Sequence, residues 1–123
     1  MERKRILIVD DEPGLTQILQ LNLAQTGRYD VRTVNKGSDA VTIARTFQPD
    51  LIFLDVVMPD VDGGQIAQRM KLEPSLHDIP IVFLTAIVSK RETMGHLSII
   101  GGCPFLAKPV STDEVVACIE QHT

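Results

Sequence analysis

The sequence predicts an α/β fold: a doubly wound, five-stranded parallel sheet of order 2-1-3-4-5 with five helices. Short apolar stretches alternate strictly with longer segments of helical spacing, which implies a parallel sheet covered on both faces. The first and third stretches, Ile6–Val9 and Leu51–Leu54, are apolar at every position, as strands buried on both faces must be. The second, Asp30–Val34, alternates polar with apolar residues and suits an edge. A strand order of 2-1-3-4-5 satisfies both this and the right-handed crossover rule.

Taken along the chain, strands are expected over Arg5–Val9, Asp30–Val34, Leu51–Leu54, Ile79–Leu84 and, more weakly, Phe105–Ala107. Leu15, Ile18, Leu19 and Leu23 share one helical face; Ala40, Ala44 and Phe47 share a second; Ile66, Ala67 and Met70 a third. A fourth helix over Lys90–Ile100 is a poorer one, because Gly95 in its middle costs about 1 kcal/mol relative to Ala. Val115, Val116 and Ile119 mark the last. The punctuation agrees. Pro13 follows Asp11 and Glu12 as a first-turn proline behind an acidic cap. Gly27 follows the first helix and Gly37 precedes the second, while Ser111–Glu114 reads as a capping box.

A chain of 123 residues fits one domain, 1–123, without repeat, linker or low-complexity tract. Twelve basic residues against 16 acidic ones leave a net charge of −4. That argues against general nucleic-acid binding, which needs clustered positive charge. No apolar run approaches the ~20 residues that span a bilayer. Ile6–Val9 is too short for a signal-peptide core, so a cytoplasmic protein is expected, with Cys103 and Cys118 as free thiols. His77, His96 and His122 are scattered and read as surface residues. Arg3-Lys4-Arg5 reads as a solvated charge run, and Met58, in a turn before Pro59, as a packing residue. Gly63-Gly64 lacks the Lys-Ser/Thr ending of a phosphate loop.

The chemistry stands where the strands end. Asp10 and Asp11 close the first strand, Asp55 the third, Thr85 the fourth and Lys108 the fifth. In this topology those ends share one rim, at the switch point where ligands bind. Three converging carboxylates repel and raise one another's pKa unless a cation joins them. The donors are all oxygen, which favours Mg²⁺ or Mn²⁺ over Zn²⁺. Asp55, central by topology, is the candidate nucleophile. A carboxylate attacks phosphorus poorly unless the phosphoryl oxygens are neutralised. Lys108 offers a point charge on a flexible stem, Thr85 a hydroxyl donor, and Ala86 leaves room beside it. The inferred chemistry is phosphoryl transfer to Asp55.

Val9-Asp10-Asp11-Glu12, Asp55-Val56-Val57-Met58-Pro59 with Asp62-Gly63, Thr85-Ala86 and Lys108-Pro109 together make the chain resemble the CheY-like receiver domain of two-component response regulators over essentially its whole length. The resemblance implies a flavodoxin-like fold. It implies that Asp11 holds Mg²⁺ directly and Asp10 partly through water, with Asp55 and the Val57 backbone carbonyl as further ligands. Asp55 is then the phosphoacceptor, Thr85 and Lys108 bind the phosphoryl oxygens, and the Lys108–Pro109 bond is cis. Thr85 and Phe105 take the family's switch positions, biasing a face made by the Lys90–Ile100 helix, the fifth strand and the last helix. The implied partners are a sensor histidine kinase or phosphotransfer protein and an unknown downstream target, with a phosphorylation-dependent homodimer as a further option.

Two positions depart from the family pattern in a way that bears on lifetime. The side chains two after the acceptor and two after Thr85 are Val57 and Ile87, both apolar and unable to position a hydrolytic water, so slow self-dephosphorylation is expected. Gly101-Gly102-Cys103-Pro104 is also unusual before the fifth strand, and with Gly95 it predicts a loose fourth helix. Two other functions stay open: a phosphorylation-independent interaction module, and a Mg²⁺-dependent phosphohydrolase, which would want an acid where Val57 stands. The chain reads equally as a stand-alone receiver or as part of a longer regulator or hybrid kinase.

Overall fold

Continuous apolar runs make the centre of the sheet, and alternating ones its edge. The computed structural model describes residues 3–86 and 104–123. In it, β1 (Lys4–Val9), β2 (Tyr29–Val34), β3 (Leu51–Asp55), β4 (Ile81–Thr85) and β5 (Phe105–Ala107) form one parallel sheet, β2-β1-β3-β4-β5. This is the order expected from strand composition. The α-helices among the described residues are α1 (Pro13–Gln25), α2 (Ala40–Phe47), α3 (Gly63–Leu72) and α4 (Thr112–His122), with a 3₁₀ turn over Gly37–Asp39 before α2. The helix expected over Lys90–Ile100, with Gly95 and His96, lies outside the described residues, as do Ile87, Gly101, Gly102 and Cys103. No helix among the described residues is long and apolar enough to cross a membrane.

Successive strand residues point to opposite faces, so each central strand feeds two cores. Leu7, Val9, Ile52 and Leu54 meet α2 and α3 through Ala44, Phe47, Ile66 and Met70. Ile6, Ile8, Leu51 and Phe53 meet α1 and α4 through Leu19, Leu23, Val115 and Ile119. β2 buries Tyr29, Val31 and Val34 and exposes Asp30 and Arg32, the half-buried pattern of an edge.

Several boundaries differ by a residue or two from the sequence expectation. β1 and β2 each begin one residue earlier, at Lys4 and Tyr29, and β3 includes Asp55. β4 runs Ile81–Thr85 and not Ile79–Leu84, because Pro80 has no N–H for the ladder; its carbonyl still accepts from Ile52 N at 3.0 Å. The basic run at the N-terminus is partly structural. Lys4 and Arg28 both reach Glu120, at 3.3 and 3.0 Å, and Arg5 Nη1 donates to the Phe47 carbonyl at 3.1 Å. His77 is exposed, as expected. His122 is half-buried, with Nδ1 2.8 Å from the Cys118 carbonyl, and Cys118 is a buried free thiol. Met58 is buried in the α2–α3 core.

The helix ends show one agreement and one correction. Ser111 Oγ accepts from Glu114 N at 3.1 Å and the Glu114 carboxylate accepts from Ser111 N at 3.2 Å, the reciprocal box expected before α4. Pro13 does open α1, but Glu12 does not cap it. The Glu12 carboxylate accepts instead from Lys108 Nζ at 3.1 Å. Good N-caps are short side chains, and an ammonium is a stronger partner than an amide.

Candidate functional site

The sheet ladder continues one residue past the strands and so fixes the rim. Asp10 N donates to the Val34 carbonyl at 2.9 Å, Val56 N to Leu84 at 3.0 Å and Lys108 N to Thr85 at 2.7 Å. These bonds hold the backbones of the chemical residues against neighbouring strands. Asp10, Asp55 and Thr85 are all buried polar residues. Carboxylate oxygens of Asp10, Asp11 and Asp55 all lie within 4.8 Å of one another. The expectation that separate strand ends would gather three acids is met.

Lys108 enters the same space from the end of β5. Its Nζ lies 2.7 Å from Asp10 Oδ2, 3.1 Å from Glu12 Oε1 and 3.6 Å from Asp55 Oδ1. Asp10 Oδ1 accepts from Glu12 N at 3.0 Å. Asp10 Oδ2 is buried, and the Lys108 ammonium 2.7 Å away is the group that faces it. Burial pushes the Asp10 carboxyl above its ordinary value, with Lys108 pulling the other way. Asp55 is pushed up to about 7, first by burial and then by the charge of Asp10, against the pull of Lys108. Burial would lower the Lys108 pKa, but the bonds and charges from Asp10, Glu12 and Asp55 outweigh it and raise the value. Three crowded carboxylates form an all-oxygen donor set that fits a hard divalent cation.

The segment after Asp55 is pinned at close range. Asp62 Oδ1 accepts from Gly64 N at 2.9 Å and caps α3. Gly63 N donates to the Val56 carbonyl at 2.9 Å. A Cβ at Gly63 would collide with the Asp55 carbonyl oxygen and lie 2.9 Å from Val56 Cα. Glycine is therefore required there for close backbone approach, a reason the sequence reading missed although it used Asp62-Gly63 as a motif. Two further contacts escaped it. Asn35, just past β2, donates from Nδ2 to the Asp10 carbonyl and to Thr16 Oγ1, both at 2.9 Å. Asp60 accepts from Gly37 N at 3.3 Å and Ser38 N at 2.9 Å. A polar residue directly after a strand was the available signal for Asn35; nothing in the sequence pairs Asp60 with Gly37.

Val57 carries a side chain 77% exposed beside Asp55, and its N–H points to Asp55 Oδ1 at 3.4 Å. Phe105 pairs with Phe83, two residues short of Thr85, and packs half-buried on the α2–α3 core. The Lys108–Pro109 peptide is cis, as the resemblance implied. Ala86 follows Thr85 and is exposed.

Comparison with known proteins agrees with this geometry. The response regulator receiver domain family matches residues 6–120. The chain is 35% identical over 92% of its length to the DNA-binding dual master transcriptional regulator RpaA of Synechocystis, covering 46% of that protein. It is 37% identical over 95% of its length to the alkaline phosphatase synthesis transcriptional regulatory protein PhoP of Bacillus subtilis, covering 47% of it. The chain thus spans about half the length of these curated relatives. The structure of the chemotaxis protein CheY4 of Vibrio cholerae superposes with a TM-score of 0.85 at 24% identity, over 99% of this chain and 100% of that one, and shows the shared fold. With the sheet order, the acidic rim and these matches in agreement, this chain belongs to the response regulator receiver domain family.

Proposed function

We propose that the chain is the phosphoacceptor module of a two-component system, with Asp55 as the acceptor. The observation that carries this reading is a buried carboxylate flanked by two further acids, with the ammonium of Lys108 3.6 Å from Asp55 Oδ1. A phosphorylated histidine of a sensor kinase or phosphotransfer protein is the natural donor, and the cytoplasm the natural setting. An Asp55 oxygen attacks phosphorus, the P–O bond forms, and the P–N bond breaks with its electron pair left on the donor imidazole. Asp10, Asp11, Asp55 and the Val57 carbonyl would hold Mg²⁺, for which Mn²⁺ could substitute. Bound there, the ion would supply positive charge to offset that of the phosphoryl oxygens. Lys108 supplies the second positive charge and gives up part of its contact with Asp10 to do so. Thr85 supplies a hydroxyl donor.

Transfer to Asp55 biases the face that includes Phe105 and α4, through the added charge and acceptor oxygens. Domain 1–123 acts as one receiver, with a downstream partner reached through that face. The exposed apolar Val57 offers no hydrogen bond to an attacking water, so the phosphoryl group is long-lived.

The test is incubation with acetyl phosphate and Mg²⁺, read by intact mass. The expected gain is one phosphoryl group in the wild type and none with EDTA or in Asp55→Ala. A gain that persists in Asp55→Ala overturns the assignment. Val57→Asn with Ile87→Glu is expected to speed the decay of the modified mass, and an unchanged decay overturns the lifetime argument.

A further inference from the structure

The loop between β3 and α3 is tied in its middle as well as at its ends. Asp60 lies within it, and its carboxylate meets the start of the helical segment after β2. Its two carboxylate oxygens accept separately, Oδ1 from Gly37 N at 3.3 Å and Oδ2 from Ser38 N at 2.9 Å. These bonds, the one from Ser38 first, hold the Asp60 carboxyl below its ordinary value. The fit is also steric. A Cβ at Gly37 would collide with Val61 Cγ1 and lie 3.1 Å from Ile66 Cδ1 and 3.2 Å from Met58 Cε. Gly37 therefore makes room for the loop that Asp60 fastens.

The same turn reaches the opposite wall of the site. Asn35, two residues before Gly37, donates to the carbonyl of Asp10 and to Thr16 Oγ1, both at 2.9 Å. The four-residue stretch Asn35–Ser38 thus holds Asp10 at one end and the Asp55–Asp62 loop at the other. Asp10 and Asp55 come from different strands, and a cation between them needs both walls at a set separation. Backbone carbonyls and carboxylates bind a small divalent ion only in a narrow geometry.

We infer that Asp60 is a positioning residue for the cation site. By clamping the Val56–Asp62 loop to the Gly37–Ser38 amides, it sets the Val57 backbone against Asp10 and Asp11. The inference rests on the receiver reading above and adds to it a residue that touches neither metal nor phosphoryl group. Outer-shell partners of this kind orient what they hold, and losing one costs about tenfold or more in metal affinity.

The experiment is calorimetric titration of the full chain with Mg²⁺, alongside thermal unfolding in EDTA. Wild type is compared with Asp60→Ala, Asp60→Asn, Asp55→Asn and Ser111→Ala. Ser111→Ala removes a helix cap whose bonds go to Glu114, and controls for simple destabilisation. Asp60→Ala is expected to weaken Mg²⁺ binding by about tenfold. Asp60→Asn, which keeps one acceptor and the side-chain shape, is expected to fall between it and wild type. Ser111→Ala is expected to lower the unfolding temperature with Mg²⁺ affinity unchanged. Should Asp60→Ala fail to fold, Asp60→Asn decides alone. Wild-type affinity in both folded Asp60 variants, or in Asp60→Asn alone, overturns the positioning role. That result leaves the receiver reading intact, provided Asp55→Asn weakens Mg²⁺ binding. A wild type that binds no Mg²⁺ overturns both.

Discussion

Lys108 brings one ammonium within reach of three carboxylates, and the pKa values beside it show the balance. Asp55 is raised from 3.8 to about 7, and Asp10 is raised as well. Both groups hold a proton more tightly folded than unfolded, so their contribution to stability is fullest at low pH. It declines as pH rises from near 4 through about 7, where the folded state must carry the bare charges. The metal-free unfolding temperature of wild type relative to Asp55→Asn is therefore expected to fall across that window. Mg²⁺, which binds the deprotonated acids, is expected to stabilise more at pH 8 than at pH 5. Lys108→Met removes the charge that opposes this repulsion. Its loss of stability in EDTA is expected to be larger at pH 8 than at pH 5, where Asp55 is protonated; an equal loss at both would mean that Lys108 acts through packing alone. These ionisation states were not legible in sequence beyond their sign. Three clustered acids predict mutual repulsion, but burial, the largest cause for both Asp10 and Asp55, exists only in the folded chain.

Among the elements, α3 has the tightest requirement at its first turn. Its opening residue, Gly63, lies against the Asp55 carbonyl and the Val56 backbone. Backbone cannot yield as a flexible side chain can, so Gly63→Ala is expected to cost about 1–3 kcal/mol, the range of overpacked sites. It is also expected to slow phosphorylation at Asp55, because the atoms that give way carry the acceptor; urea unfolding and intact-mass kinetics on the same variant read the two effects. Ser111→Ala, at the start of α4, is expected to cost about 1 kcal/mol with phosphorylation unchanged. The contrast between these helix starts bears on legibility. The box at Ser111 and Glu114 is local, three residues apart, and the sequence announces it. Glu12 also read as a cap, yet its carboxylate goes to Lys108, 96 residues away in the chain.

For the whole molecule, the switch point between β1 and β3 sets where the acids meet, and the double core sets how firmly. Phe53 lies on β3 in the α1–α4 core, fully surrounded, while Val31 occupies the β2 edge of the same core. Phe53→Ala is expected to cost about 3–5 kcal/mol. Val31→Ala is expected to cost less, as it removes fewer atoms at an edge strand. Equal losses by denaturant unfolding would argue against a rigid centre bearing the site.

The sheet order, the covering helices and the rim of Asp10, Asp55, Thr85 and Lys108 were all determined by the sequence alone. Each follows from periodicity or from which residue closes an apolar run, and those are properties of short segments. Only the tertiary structure decided that Asn35 holds the Asp10 carbonyl, that Asp60 reaches Gly37 and Ser38, that Gly63 admits no side chain, and that Lys108 leans towards Asp10 and Glu12. These are meetings between distant segments, and ångström-scale differences in side-chain reach select among several plausible partners. Hydrophobic patterning sets strand and face, but it carries no information on which polar group lies within 3 Å of another once the loops close.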